Sequence, residues 1–89
     1  MILVVTYDLK GKRSYTPLYE TLEEQGDWAH FIAATWFIQT DRTPQEVYEA
    51  IAPHVNKNDS VFIGTLSNGY EGFLPDKAWK WLKKRGLKP

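Results

Sequence analysis

A chain of 89 residues holds a single domain, residues 1–89, with a thin core, and small chains of this kind often gain stability by association. With no cysteine it can form neither a disulfide nor a zinc–thiolate site, and no apolar run approaches the roughly 20 residues that span a bilayer. Eleven basic and eleven acidic side chains cancel, but unevenly: Ser14 to Asp76 carries ten acids and two bases, whereas Lys77 to Pro89 carries six bases and no acid.

The chain opens on a strand. Six of the seven residues from Ile2 to Asp8 are aliphatic, β-branched or aromatic. Alternation sets Leu3, Val5, Tyr7 and Leu9 on one face and Ile2, Val4, Thr6 and Asp8 on the other. Both faces are largely apolar, so both need cover. Helices of the chain can supply one cover and a second copy of the chain the other. The opening stretch has no basic residue before it and runs into Asp8 and Lys10, too soon for a secretory signal. The expectation is a soluble, cytoplasmic protein with no membrane partner.

Lys10-Gly11-Lys12-Arg13-Ser14 reads as a loop without Walker spacing. Thr16-Pro17 predicts a helix start with Thr as cap, Leu18 and Leu22 as its apolar face and Gly26 as its stop. Residues 28–40 are too long for one strand and divide into 28–32 and 35–40 about Ala33-Ala34. Thr43-Pro44-Gln45-Glu46 is a capping box, and Val47, Tyr48, Ile51 and Val55 share the face of the helix it opens, which ends near Ala52 because of Pro53. Ser60 to Leu66 is a strand, Ser67-Asn68-Gly69 a hairpin turn, and Tyr70 to Leu74 a short edge strand. The last helix runs from Pro75-Asp76 to Gly86, with Ala78, Trp79 and Leu82 inward and Lys77, Lys80 and Lys84 outward.

Two groups of residues carry candidate chemistry. Lys10, Lys12 and Arg13 in the first loop, and Lys77, Lys80 and Lys84 on the tail helix, are candidate phosphate-binding patches; the alternative for the tail is a solvated amphipathic face. Asp8, at the lip of the first strand, is either a turn former or a metal ligand, and as a ligand for Mg²⁺ or Mn²⁺ it needs further oxygens. Neither His30 nor His54 lies in a recognisable catalytic pattern, and Trp28, Trp36, Trp79 and Trp81 read more readily as packing or dimer contacts than as platforms for bases.

Taken together, Leu3-Val4-Val5-Thr6-Tyr7-Asp8, the glycine Gly26, Ala34-Thr35-Trp36-Phe37 and the segment Asp59 to Leu66 resemble the CRISPR-associated protein two family and its stand-alone relatives, the virulence-associated D toxins and short proteins labelled SinR family. The resemblance covers residues 1–66. It implies an α+β, ferredoxin-like sandwich with an antiparallel sheet and helices on one face, to which this chain adds a C-terminal helix. It also implies a homodimer with open sheet faces packed together. In such proteins the first-strand aspartate, here Asp8, is contributed by both subunits and is linked to divalent metal and phosphodiester cleavage, while the adaptor role in binding duplex DNA is non-catalytic. The chain departs from the family in its acidic first helix and its tail helix. No paired helices of a helix-turn-helix repressor are present. Two functional readings follow from the resemblance: a dimeric, non-catalytic nucleic-acid-associated module, or a weak metal-dependent endonuclease using Asp8. A homodimeric interaction module unrelated to nucleic acid is a third.

Overall fold

The computed structural model describes residues 1–11 and 14–88. In chain order it contains β1 (Ile2–Asp8), α1 (Thr16–Glu23), β2 (Asp27–Ile32), β3 (Thr35–Gln39), α2 (Pro44–Ile51), a 3₁₀ turn (Ala52–His54), β4 (Ser60–Leu66) and α3 (Asp76–Lys84). The four strands form one antiparallel sheet in the order β2-β3-β1-β4. No helix among the described residues is long and apolar enough to cross a membrane.

The doubly apolar β1 lies inside the sheet, where both of its edges and both of its faces are used. Val5 stands opposite Trp36 on one side and Ile63 on the other. On this face Leu18 and Leu22 of α1 and Ile51 of α2 close a core with Val5, Trp36 and Ile38. Each helix presents its pair at i, i+4 (Leu18 with Leu22, Val47 with Ile51), so one stripe per helix is buried. The opposite face, with Ile2, Ala29 and Phe37, is covered by Leu82 of α3 and by partly buried Trp79, Trp81, Tyr70 and Leu74. The second cover of β1 is therefore supplied by the chain's own tail.

Local signals explain the boundaries. Thr43 and Glu46 form both arms of the capping box, with Thr43 Oγ1 accepting from Glu46 N and Glu46 Oε1 from Thr43 N. The turn at Ala33-Ala34 lacks the positive φ of a primed hairpin. Instead the β2–β3 register shifts between Ala29 and Ile32, and a ring nitrogen of His30 lies 2.9 Å from the Ala33 carbonyl.

Four local expectations are corrected. Thr16 does not cap α1; Tyr15 is the N-cap, and the Ser14 hydroxyl accepts from Thr16 N instead. Gly26 does not end α1 in a left-handed conformation; it is needed because a Cβ there would run into the Gln39 carbonyl oxygen. Tyr48 is exposed rather than sharing the buried stripe of α2. Tyr70–Leu74 is not a strand. Gly69, at φ 94°, begins this segment, which crosses the second sheet face, where Tyr70 and Leu74 pack in the second core. The tail closes over it: Lys88 N donates to Asn68 Oδ1 and Gly69 N to the Lys88 carbonyl.

Candidate nucleic-acid interface

The basic face of α3 is built from the helix's mounting. Ala78 and Leu82 are buried against the sheet, which leaves Lys77, Lys80, Lys83 and Lys84 exposed. The Lys77 ammonium stands 5.9 Å from the centre of the Phe31 ring. The Arg85 guanidinium stacks 3.8 Å over Trp81 and pairs with Asp27 at the start of β2, so α3 is held at both ends. Lys83 and Lys84 in the last turn face the negative end of the helix dipole. Gly86, at φ 84°, closes the helix: Leu87 N donates to the Leu82 carbonyl and Gly86 N to that of Lys83, while Leu87 joins the second core. The lysine row is thus displayed on a capped, packed helix.

The other candidate patch is split. Lys12 and Arg13 lie outside the described residues. Lys10 is exposed, and its Nζ is 3.7 Å from Asp8 Oδ2. Asp8 stands opposite Ser60 at the end of β1. Alternation puts it on the same side of the sheet as α3. Thr6, Asp8, Ser60 and Phe62 line a shallow open depression of about 260 Å³ there. Asp8 keeps a side-chain exposure of 68% and has a lysine, rather than a second carboxylate, beside it. Among the described residues no group of three His, Asp or Glu side chains comes together to hold a metal ion. One carboxylate next to an ammonium does not fit a divalent site by itself; Mg²⁺ or Mn²⁺ at Asp8 requires oxygens from a second molecule.

Asp59 closes the polar, turn-forming run Asn56-Lys57-Asn58-Asp59, and its larger role emerges only in three dimensions. Its carboxylate accepts from Lys10 N (2.7 Å), Asn56 N (2.9 Å) and the Tyr15 hydroxyl (2.8 Å from both oxygens). The Tyr15 oxygen in turn accepts from Gly11 N and Asn56 Nδ2. Partial desolvation pushes the Asp59 carboxyl up, but donors from Lys10, Asn56, Tyr15 and Gly11 outweigh it and hold the group below its ordinary value. This cluster ties the loop after β1 to the α2–β4 connection, and so sets where Lys10 emerges. The only hint in the sequence is the Asn56-Lys57-Asn58-Asp59 turn.

Neither histidine joins a catalytic arrangement. His30 stacks on Trp36 (centroids 4.4 Å apart), where Trp28 and Tyr19 also pack. The Trp36 indole donates to the Tyr7 hydroxyl, whose pKa is raised chiefly by burial. His54 lines an open recess with Ser14, Tyr15, Pro17 and Pro53. Trp36 is a core residue, whereas Trp28 remains 41% exposed at the β2 edge.

No family model, no curated protein and no solved structure matches this chain.

Proposed function

We propose that the chain is a non-catalytic, dimeric nucleic-acid-binding module of ferredoxin-like type, gripping phosphates through Lys77, Lys80 and Lys84. The order strand-helix-strand-strand-helix-strand, with the sheet order β2-β3-β1-β4, supports the ferredoxin-like reading. The observation that carries the binding reading is the segregation of charge by sheet face. Glu20, Glu23, Glu46 and Glu49 belong to α1 and α2, which contain no base, whereas α3, on the opposite face, carries four lysines against a single acid, Asp76 in its first turn. A nucleic acid approaching the α3 side meets lysines with the acidic layer behind the sheet. Lys10 emerges beside Asp8, and Lys12 and Arg13 follow it closely in sequence.

The test is fluorescence anisotropy with labelled duplex DNA, duplex RNA and single-stranded RNA over a salt series. Three phosphate contacts predict a log–log salt slope of about −3 on duplex DNA. Replacing Lys77, Lys80 and Lys84 together by Glu should abolish binding. Unchanged binding would make the helix face a solubilising surface and refute the proposal.

A second reading, a weak endonuclease dependent on Mg²⁺ or Mn²⁺, draws on one observation: Asp8 is exposed in an open depression on the same side as the lysines. With a single carboxylate per chain, the ion would be held by two Asp8 side chains, water and substrate phosphate. Asp8→Asn keeps the shape and removes the charge. Equal cleavage by wild type and Asp8→Asn, or no cleavage by wild type with either metal, eliminates this reading.

A further inference from the structure

The resemblance implies dimers made through open sheet faces, but here one face carries α1 and α2 and much of the other carries α3 and residues 70–74. The sheet edges remain. At the β2 edge the strand carries Asp27 and His30, and its register breaks between Ala29 and Ile32, features that discourage further pairing. The β4 edge has none of these. Ser60–Leu66 contains no charged residue and no proline, and it pairs with β1 in unbroken register over all seven residues. Beyond β1, no backbone partner of β4 occurs among the described residues. An exposed aromatic flanks this strand on each side of the sheet, Phe62 at 63% exposure and Tyr48 of α2 at 48%; Tyr48 and Val61 border one open groove.

We propose that β4 pairs antiparallel with β4 of a second copy about a two-fold axis at Ile63, joining two sheets into one of eight strands. This rests on the dimeric part of the proposed function and names its surface. The occupant follows from self-complementarity. An axis at Ile63 sets Val61 opposite Thr65, Ser60 opposite Leu66, and Phe62 opposite Gly64 of the other copy. Residue and mate keep the same face, so on the α1–α2 side Ile63 meets Ile63 and the β-branched Val61 meets the β-branched Thr65. A Cβ built at Gly64 would meet nothing within 4 Å except the Phe62 ring of its own chain, at 3.9 Å. The partner's aromatic ring can therefore lie over the glycine, an aromatic–glycine cross-strand pair. No like charges are brought together along the ribbon.

The arrangement has a geometric consequence for Asp8. At ~3.3 Å per residue and ~4.8 Å per strand, the two Asp8 residues fall at opposite corners, about 25 Å apart. They cannot share an ion. The edge dimer and the shared-metal endonuclease are mutually exclusive.

Because the chain has no cysteine, single cysteines report the register directly. Ile63→Cys should form an intermolecular disulfide on mild oxidation, and a mixture of Val61→Cys with Thr65→Cys should form the mixed disulfide, whereas Thr65→Cys alone should not cross-link. Phe62→Lys, at an exposed position, removes the ring and sets two lysines diagonally across the axis. It should raise the dimer dissociation constant in sedimentation by roughly tenfold or more, with an unchanged circular dichroism spectrum. A wild-type dimer that Phe62→Lys leaves intact overturns the edge proposal while the dimeric reading stands. So does a dimer in which neither the Ile63→Cys nor the mixed disulfide forms. A wild-type monomer at micromolar concentration overturns both, and phosphate binding is then judged on the anisotropy titration alone.

Discussion

The two faces of the sheet are covered in different ways. On the α1–α2 side, Val5, Leu18, Leu22, Ile38 and Ile51 are completely buried. On the α3 side, small Ala78 is completely buried and Leu82, Ile2, Ala29 and Phe37 nearly so, and most of the remaining cover is half-buried aromatic surface from Phe31, Tyr70, Trp79 and Trp81. The first face meets two helices connected directly into the sheet, each with a pair of aliphatic side chains at i, i+4. The second meets a single helix and an irregular segment, so large rings cover by area what close interdigitation achieves opposite. Charge follows the same division. Glutamates solvate the helices of the deep core, and lysines solvate the helix of the shallow one.

The contrast can be broken first in the cores. Leu22→Ala opens a cavity among rigid, fully buried neighbours and should cost about 3–5 kcal/mol in denaturant unfolding. Leu82→Ala leaves half-buried rings that can settle into the space, so its cost should be smaller, about 2–3 kcal/mol. Equal losses would show that the two cores are equally tight. Gly26→Ala comes next. Its Cβ meets backbone, the Gln39 carbonyl, and so cannot be accommodated by rotating a side chain; a loss of about 1–3 kcal/mol is expected from thermal or urea unfolding.

The smallest effect is pH-dependent and sharpens the comparison between the two sides. Asp59 and Glu46 both sit on the α1–α2 side, and both have carboxyl groups held below their ordinary values. For Asp59, desolvation opposes the shift and the donors from Lys10, Asn56, Tyr15 and Gly11 produce it. For Glu46, the Thr43 backbone and side-chain hydrogen bonds come first. Groups lowered on folding contribute stability that is fully present above their unfolded values, near pH 4, and is lost as pH falls through the folded values. Acid unfolding followed by urea midpoints should therefore show a decline below about pH 4 that Asp59→Asn makes shallower. An acid limb unchanged by that substitution would show that the Asp59 cluster contributes nothing to it.

Much of the element order was legible because it rests on local chemistry. The apolar run Ile2–Asp8, the capping box at Thr43, the break at Pro53 and the closing Gly86 each act within a few residues, and the two-strand reading of 28–40 follows from length alone. The outward placement of Lys77, Lys80 and Lys84 is likewise set by helical spacing. Other features depended on tertiary structure, because their causes lie far apart along the chain. Tyr70–Leu74 follows a turn signal and reads as a short edge strand, but it packs over a sheet face that the tail also covers. Gly26 looks like a helix stop, yet its constraint is the Gln39 carbonyl, thirteen residues on. Asp59 reads as a turn residue until Lys10 and Tyr15, more than forty residues earlier, bring their donors to it. Local sequence determined which residues form helix or strand and which helix faces are polar. Tertiary structure decided which side of the sheet each layer occupies, and hence that the glutamates of α1 and α2 and the lysines of α3 stand on opposite faces.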